Sequence, residues 1–155
     1  MNRSEKALAY FSEGFSCSQA VLTAFAEDFG LEHELALRVA GAFGGGMGRS
    51  AQTCGAATGA LMALGLKYGK TQAEDNAKRE KCYALAAEFL QKFRAQNDGL
   101  SCPELLGFDI GTPEGRIQAQ QTQRSATLCP NLVRSAVVLM EQILESADAS
   151  RSSGD

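Results

Sequence analysis

The chain has 155 residues, and its 15 basic and 18 acidic side chains give a formal net charge of −3. This length suffices for one domain with its own apolar core, and the charge excludes the basic surplus typical of proteins that bind nucleic acid or anionic membranes. The sequence contains neither a secretory signal peptide nor a stretch apolar enough to span a membrane. We therefore expect a cytoplasmic protein with a single domain over residues 1–145 and a flexible polar tail over 146–155.

The N-terminal half predicts four helices, because its apolar residues recur at intervals of three and four. In chain order these helices cover 3–12, 17–29, 32–43 and 54–68. The fourth is apolar on nearly every face, which is typical of a helix at the centre of a bundle. The glycine run over 44–48 separates it from the third helix and predicts a turn.

The C-terminal half continues the helical pattern. Its longest segment, 71–97, has Cys82 on an apolar stripe that we expect to be buried. Shorter helices are predicted to begin at Cys102 and Thr112, and a last amphipathic helix covers 129–145. Because no alternating apolar stretch occurs, we predict an all-α fold: a compact single-domain bundle of about six to seven helices without a sheet.

Four of the five cysteines stand where a loop is predicted to turn into a helix. A helix N-terminus presents unpaired N–H groups and the positive end of the helix dipole, both of which favour a thiolate. Packing that gathered several such ends would create a pocket rich in N–H donors, suited to a thiolate pair, an anion or a metal. The candidate catalytic residues are therefore Cys17, Cys54, Cys102 and Cys129.

Cys54 is the predicted attacking thiolate, because small residues follow it directly. Gly55 and Gly59 leave room for a substrate, a second sulfur or another backbone, and Gly within a helix costs about 1 kcal/mol relative to Ala. Arg49, at the end of the glycine run, is the nearest fixed positive charge. We therefore predict that these two glycines and Arg49 bind the substrate or a cofactor.

Two other classes of protein remain open. The same four cysteines are enough to ligate zinc or an iron–sulfur cluster, although local Cys-x-x-Cys pairs are absent and the intervals are long. A structural domain whose thiols only pack is the other alternative. His33, the only histidine, lies at the polar start of a helix, so a Cys–His nucleophile is not favoured. A dithiol site requires no cofactor.

Several short motifs resemble one protein family over about residues 5–145. They are, in order, Phe15-Ser16-Cys17-Ser18-Gln19-Ala20-Val21-Leu22, the glycine run ending at Arg49, Cys54-Gly55-Ala56-Ala57-Thr58-Gly59, Cys102-Pro103-Glu104-Leu105-Leu106-Gly107, and Cys129. Together they resemble the redox-active proteins named for the pattern C_GCAxxG_C_C. Cys82 lies outside that pattern.

The resemblance implies a small helical protein with four signature cysteines and a redox role. The leading hypothesis is thiol–disulfide chemistry, in which Cys54 and one of the other three signature cysteines cycle between dithiol and disulfide. This hypothesis leaves open whether the protein is an enzyme; if it is one, its class would be thiol–disulfide oxidoreductase. The sequence does not identify the redox partner, which is a small molecule or a protein. A homodimer is left open by the apolar helix stripes.

Overall fold

The computed structural model describes residues 1–153, with side chains for 1–151, and this part of the chain forms eight helices without a strand or sheet. The all-α prediction is confirmed. In chain order the helices are α1 (Arg3–Ser12), α2 (Cys17–Ala26), α3 (His33–Ala40), α4 (Gly55–Tyr68), α5 (Asn76–Asn97), α6 (Cys102–Leu106), α7 (Pro113–Gln121) and α8 (Arg124–Ser153). No helix in the described region is long and apolar enough to cross a bilayer.

Three helices begin with a capping box, in which the cap side chain and the third helical residue exchange hydrogen bonds with each other's backbone N–H. The pairs are Asn2 with Glu5, Ser16 with Gln19, and Ser101 with Glu104. The second and third boxes place Cys17 and Cys102 at the first helical position. Local sequence therefore sets where two of the four signature cysteines enter their helices.

Helix α4 lies at the centre of the bundle and packs against α2, α5 and α8. Its closest approach is to α2, through two glycines. A Cβ added at Gly59 would lie 2.7 Å from the carbonyl oxygen of Ser18, and one at Gly55 would lie 3.1 Å from the Ser18 nitrogen. Only a residue without a side chain fits between these backbones.

Helices α5 and α8 pack around α2 and α4 and complete the core. The predicted stripe of α5 is buried at Phe89 and Phe93, whose rings stack with centroids 5.7 Å apart, and partly buried Cys82 packs against the core. The helix starts at Asn76 rather than at 71, because the Asp75 side chain accepts the Lys78 N–H and caps it there. Fully burying a phenylalanine contributes roughly 1.5–3 kcal/mol.

The last helix, α8, does not begin at the predicted residue, Cys129. It begins at Arg124, so Cys129 lies in its second turn and Pro130 lies inside the helix. Pro130 cannot donate a hydrogen bond to the carbonyl of Ala126, and its ring crowds that carbonyl. This cost is offset by the buried apolar face that follows, which packs against α4 and α5. The prediction that Cys129 begins a helix is therefore wrong.

The structure also differs from the prediction of a flexible tail over 146–155, since α8 continues to Ser153. Ala147 is buried, and the Asp148 carboxylate accepts hydrogen bonds from Lys67 Nζ at 2.5 Å and from the Tyr68 hydroxyl. These contacts with the end of α4 order the segment, although its composition is polar. The part of the predicted tail at 154–155 lies outside the described residues.

We expect Gly59→Ala to lower the free energy of unfolding by about 1–3 kcal/mol, because its Cβ would press on the backbone of Ser18. Gly65→Ala is the matched control in the same helix. A Cβ at Gly65 meets nothing within 4 Å, so the helix propensity of alanine should raise stability by up to about 1 kcal/mol. Urea denaturation of both variants measures the difference, and equal effects would contradict the packing interpretation.

The Asp148 contacts predict a dependence of stability on pH. Hydrogen bonds from Lys67 and Tyr68 lower the pKa of Asp148 below its ordinary value, so its contribution is present above about pH 4 and is lost as the pH falls through the lower folded-state pKa. Because both ionic side chains are partly exposed, we expect Asp148→Asn to cost less than about 1 kcal/mol at pH 7. In urea titrations the wild type and the variant should converge at about pH 2; a constant difference would contradict this assignment.

Candidate functional site

One cavity of about 190 Å³ is lined by all four signature cysteines. They come from different parts of the chain, and the fold gathers them at one end of the α2–α4 pair. Cys54 and Cys102 are 4% and 8% exposed, whereas Cys17 and Cys129 are only partly buried. The cavity therefore has an outer pair, Cys17 and Cys129, and an inner pair, Cys54 and Cys102.

The inner pair is held by a short backbone bridge between the segments that precede α4 and α6. The Cys54 N–H donates to the carbonyl of Leu100 at 2.8 Å, and the Cys102 N–H donates to the carbonyl of Gln52 at 2.9 Å. This bridge consists of main-chain groups alone. It aligns the starts of α4 and α6, so that both thiols face the same space.

Two glycines let neighbouring backbone approach these cysteines. A Cβ at Gly55 would lie 3.3 Å from the Cys17 Cβ, and one at Gly46 would lie 2.9 Å from the Cys102 Cβ. Gly46 also has φ 70°, in the left-handed region that favours glycine. Larger residues at these positions would push the cysteines apart.

The outer pair is joined by a hydrogen bond between its thiol groups. Cys17 donates to Cys129, which lowers the pKa of Cys129 and, together with burial, raises the pKa of Cys17 well above its ordinary value. The Ser125 hydroxyl, one helical turn before Cys129, also donates to that sulfur and lowers its pKa further. Cys129 is therefore the thiol of the cavity whose surroundings most favour the thiolate.

For Cys54 the outcome differs from the prediction. The N–H groups of Ala56 and Ala57 at the start of α4 do favour its thiolate, but burial outweighs them and raises the pKa of Cys54 to about 11. Burial, with the neighbouring charges of Cys54 and Cys129, raises the pKa of Cys102 to about 12. The prediction that its helix start lowers the pKa of Cys54 is wrong, because desolvation is the larger effect.

The rest of the cavity wall is apolar, apart from two hydroxyl groups and backbone. Among the residues that line it there is no charged side chain and no histidine; the hydroxyls belong to Ser16 and Ser125. His33 lies elsewhere, with its ring against Tyr10 at a centroid distance of 5.4 Å. A thiolate formed here is stabilised by thiol, hydroxyl and helix N–H donors rather than by a fixed cation.

Of the residues predicted to bind a substrate or cofactor, only Gly55 lines the cysteine cavity. Gly59 lies against Ser18 in the helix contact described above. Arg49 is exposed and lines a neighbouring cleft. Ser125 was missed, because its i to i+4 relation to Cys129 becomes visible only once the helix is known to begin at Arg124.

The arrangement of the side chains bears on the metal alternative. Among the described residues, no three His, Cys, Asp or Glu side chains are grouped so that they could hold one metal ion. The thiol positions do not fit a zinc or iron–sulfur site, although all four thiols face one cavity. No step of the chemistry below is therefore derived through a metal.

The fold and cavity define a class of small all-helical proteins with clustered, unpaired thiols. The family model described as "Putative redox-active protein (C_GCAxxG_C_C)" matches residues 15–143, most of the chain. The protein belongs to this family. No curated protein and no solved structure matches the chain at a significant level.

The hydrogen bond within the outer pair predicts how fast Cys129 is alkylated. Because a thiol is a weak hydrogen-bond donor, this bond contributes about 0.5–1.5 kcal/mol, so Cys17→Ala should slow the reaction of Cys129 with iodoacetamide at pH 7 by about two- to tenfold. Ser125→Ala should have a smaller effect, since Cys17 lowers the pKa of Cys129 more than Ser125 does. Peptide mapping by mass spectrometry follows Cys129 alone, and unchanged alkylation in the Cys17 variant would contradict the assignment.

Proposed function

We propose that the protein exchanges electrons with a thiol or disulfide partner by cycling Cys17 and Cys129 between dithiol and disulfide. The observation that carries this proposal is the placement of these two partly buried residues in one cavity, where a hydrogen bond from Cys17 lowers the pKa of Cys129. Membership of a family described as redox-active agrees with it. We further propose a reducing compartment such as the cytoplasm, where such a pair can return to the dithiol.

The reaction begins at Cys129. Its thiolate attacks one sulfur of a partner disulfide, forms a mixed disulfide and releases one partner thiolate. Cys17, whose proton passes to the departing thiolate or to water, then attacks the Cys129 sulfur and releases the second partner thiolate. The protein gains one disulfide and the partner gains two electrons. The reverse sequence, with a partner dithiol as donor, restores the starting state.

The geometry supports Cys17 as the second nucleophile. Its side chain lines the same cavity as that of Cys129 and is the main cause of the lowered pKa of Cys129, so the two thiols are neighbours before any oxidant arrives. Because Cys17 stays protonated until its partner reacts, only one of the two thiols is an effective nucleophile at first. This division of roles matches that of an attacking and a resolving cysteine.

For the inner pair we propose a later step. Cys54, the attacking thiol in the sequence-based hypothesis, is held protonated by burial and, to a smaller extent, by the neighbouring charge of Cys129. Once Cys129 is part of the outer disulfide, that charge is gone; Cys54 then attacks the Cys129 sulfur, and its proton passes to the Cys17 thiolate that leaves. Cys102 next attacks the Cys54 sulfur and passes its proton to the departing Cys129 thiolate, so that the disulfide moves to the inner pair and no electrons are gained or lost.

Controlled oxidation tests the first step. We expect one equivalent of 2-hydroxyethyl disulfide to give a protein lighter by about 2 Da, with the link mapped between Cys17 and Cys129 at early times. The double variant Cys17→Ser/Cys54→Ser should stop at a mixed disulfide on Cys129, whereas Cys129→Ser should react far more slowly. Cys82→Ser is the matched control and should behave as the wild type does.

Cys54→Ser separates the outer pair from the inner pair. We expect this variant still to form the Cys17–Cys129 link but never a link between Cys54 and Cys102. Thiols that stay reduced in the wild type, or a first link that excludes Cys129, would overturn the proposal. Stoichiometric zinc or iron in anaerobically purified protein, lost when any one signature cysteine is replaced, would favour the ligand alternative instead.

A further inference from the structure

We propose that the cleft next to the outer thiol pair binds the carboxylate groups of a small anionic disulfide or of its thiol. This inference rests on the proposed function, because it names the chemical class of the partner that meets Cys129. The cleft is a surface separate from the cysteine cavity. The residues that line it include Arg49, Ile110, Arg116, Gln120, Gln123 and Ser125.

The cleft is larger than the cysteine cavity and its lining includes more polar groups. Its volume is about 660 Å³, compared with about 190 Å³ for the cavity. Arg49 comes from the glycine-rich turn and Arg116 from α7, and Gln120 and Gln123 lie at the end of α7 and just beyond it. Two guanidinium groups and two amides thus face one open space.

The two spaces adjoin each other. Ile110 and Ser125 line both the cleft and the cavity. Ser125 also donates a hydrogen bond to the Cys129 sulfur, one turn further along α8. A molecule held in the cleft would therefore have its sulfur close to the thiolate that we propose attacks first.

The charge of the cleft selects an anion. No carboxylate is among its lining residues, and no ion pair within the described region engages Arg49 or Arg116. Arg116 donates to the carbonyl of Ile110 at 3.2 Å, which holds its guanidinium at the rim shared with the cavity. The planar fork of arginine matches a carboxylate with two parallel hydrogen bonds.

Arg49 is placed by unusual backbone rather than by a helix. Residues 45–49 all have φ between 64° and 70°, the left-handed region, although Met47 and Arg49 are not glycine. The Arg49 side chain passes over Gly45, where an added Cβ would lie 3.1 Å from its Cγ and 3.4 Å from the Ile110 Cδ1. Glycine at 45 thus leaves the space through which Arg49 reaches the cleft.

The reaction balances as in the general scheme. The Cys129 thiolate attacks one sulfur of the bound disulfide, and the other half leaves as a thiolate that carries its own carboxylate. Cys17 then attacks Cys129 and releases the second half. Two molecules of anionic thiol leave the cleft, and the protein keeps the disulfide.

The test compares three small disulfides of similar length: 3,3′-dithiodipropionate, neutral 2-hydroxyethyl disulfide and cationic cystamine. Each rate constant for oxidation of the full-length protein is divided by that of a neutral small thiol with the same reagent. We expect the dicarboxylate to be favoured over the neutral disulfide by about tenfold at low salt, and cystamine to be slowest. The preference should shrink as the ionic strength rises.

The variant Arg49→Gln/Arg116→Gln should bring the ratio of dicarboxylate to neutral rate constants down to about one. Arg134→Gln is the matched control, because Arg134 is exposed on α8 but does not line the cleft; its ratio should equal that of the wild type. Circular dichroism confirms that each variant is folded.

The outcomes separate the two proposals. If the wild type reacts with the neutral disulfide through Cys129 but shows no anionic preference, the cleft assignment fails and the thiol pair stands. A preference that survives in the double arginine variant also overturns the cleft assignment. If no reagent oxidises the outer pair, the proposed function fails, and this inference fails with it.

Discussion

The close contact between α2 and α4 is the constraint on which the rest of the structure depends. Gly55 and Gly59 bring the backbone of α4 against Ser18, at distances that leave no room for a side chain at Gly59 and very little at Gly55. Because Cys17 precedes Ser18 and Cys54 precedes Gly55, the same contact brings two signature cysteines to one end of the bundle. The backbone bridge then adds Cys102, and α8 closes the cavity with Cys129.

Within the cavity, two physical effects compete for each thiol. Helix N–H groups favour the thiolate, and burial opposes it. For Cys54 burial prevails, although the N–H groups of Ala56 and Ala57 favour its thiolate and oppose the rise in its pKa. For Cys129 the donors prevail, because Cys17 and Ser125 both supply a hydrogen bond to a sulfur that is only partly buried. The site therefore contains one activated thiol and three that remain protonated, which is the asymmetry that stepwise thiol exchange requires.

The neighbouring cleft adds the cations that the cavity itself lacks. Arg49 reaches it from a turn of consecutive left-handed residues, a backbone that costs roughly 1–2 kcal/mol for each residue other than glycine. Surrounding contacts must maintain such a turn, and the Gln52 N–H, which donates to the carbonyl of Gly46 at 3.1 Å, ties it to the bridge that holds the inner pair. The loop thus connects the position of Arg49 with the position of Cys102.

Much of the local structure follows from the sequence alone. The range of α1, the helix starts at Cys17 and Cys102, the central place of α4 and the apolar stripe of α5 were predicted from periodicity and helix-start residues, which act over a few neighbours. The start of α8 was not predicted correctly. Pro130 resembles a helix-start signal, and only packing against α4 and α5 stabilises the helical turns that precede it.

The sequence by itself determined the all-helical class and which four cysteines to examine. Only the tertiary structure decided that they share one cavity, that Cys129 rather than Cys54 carries the favoured thiolate, and that Arg49 faces a separate cleft. The physical reason is that helix formation and capping depend on residues a few positions apart. A pKa depends on burial and on hydrogen bonds between residues that are more than a hundred positions apart in the chain, as Cys17 and Cys129 are.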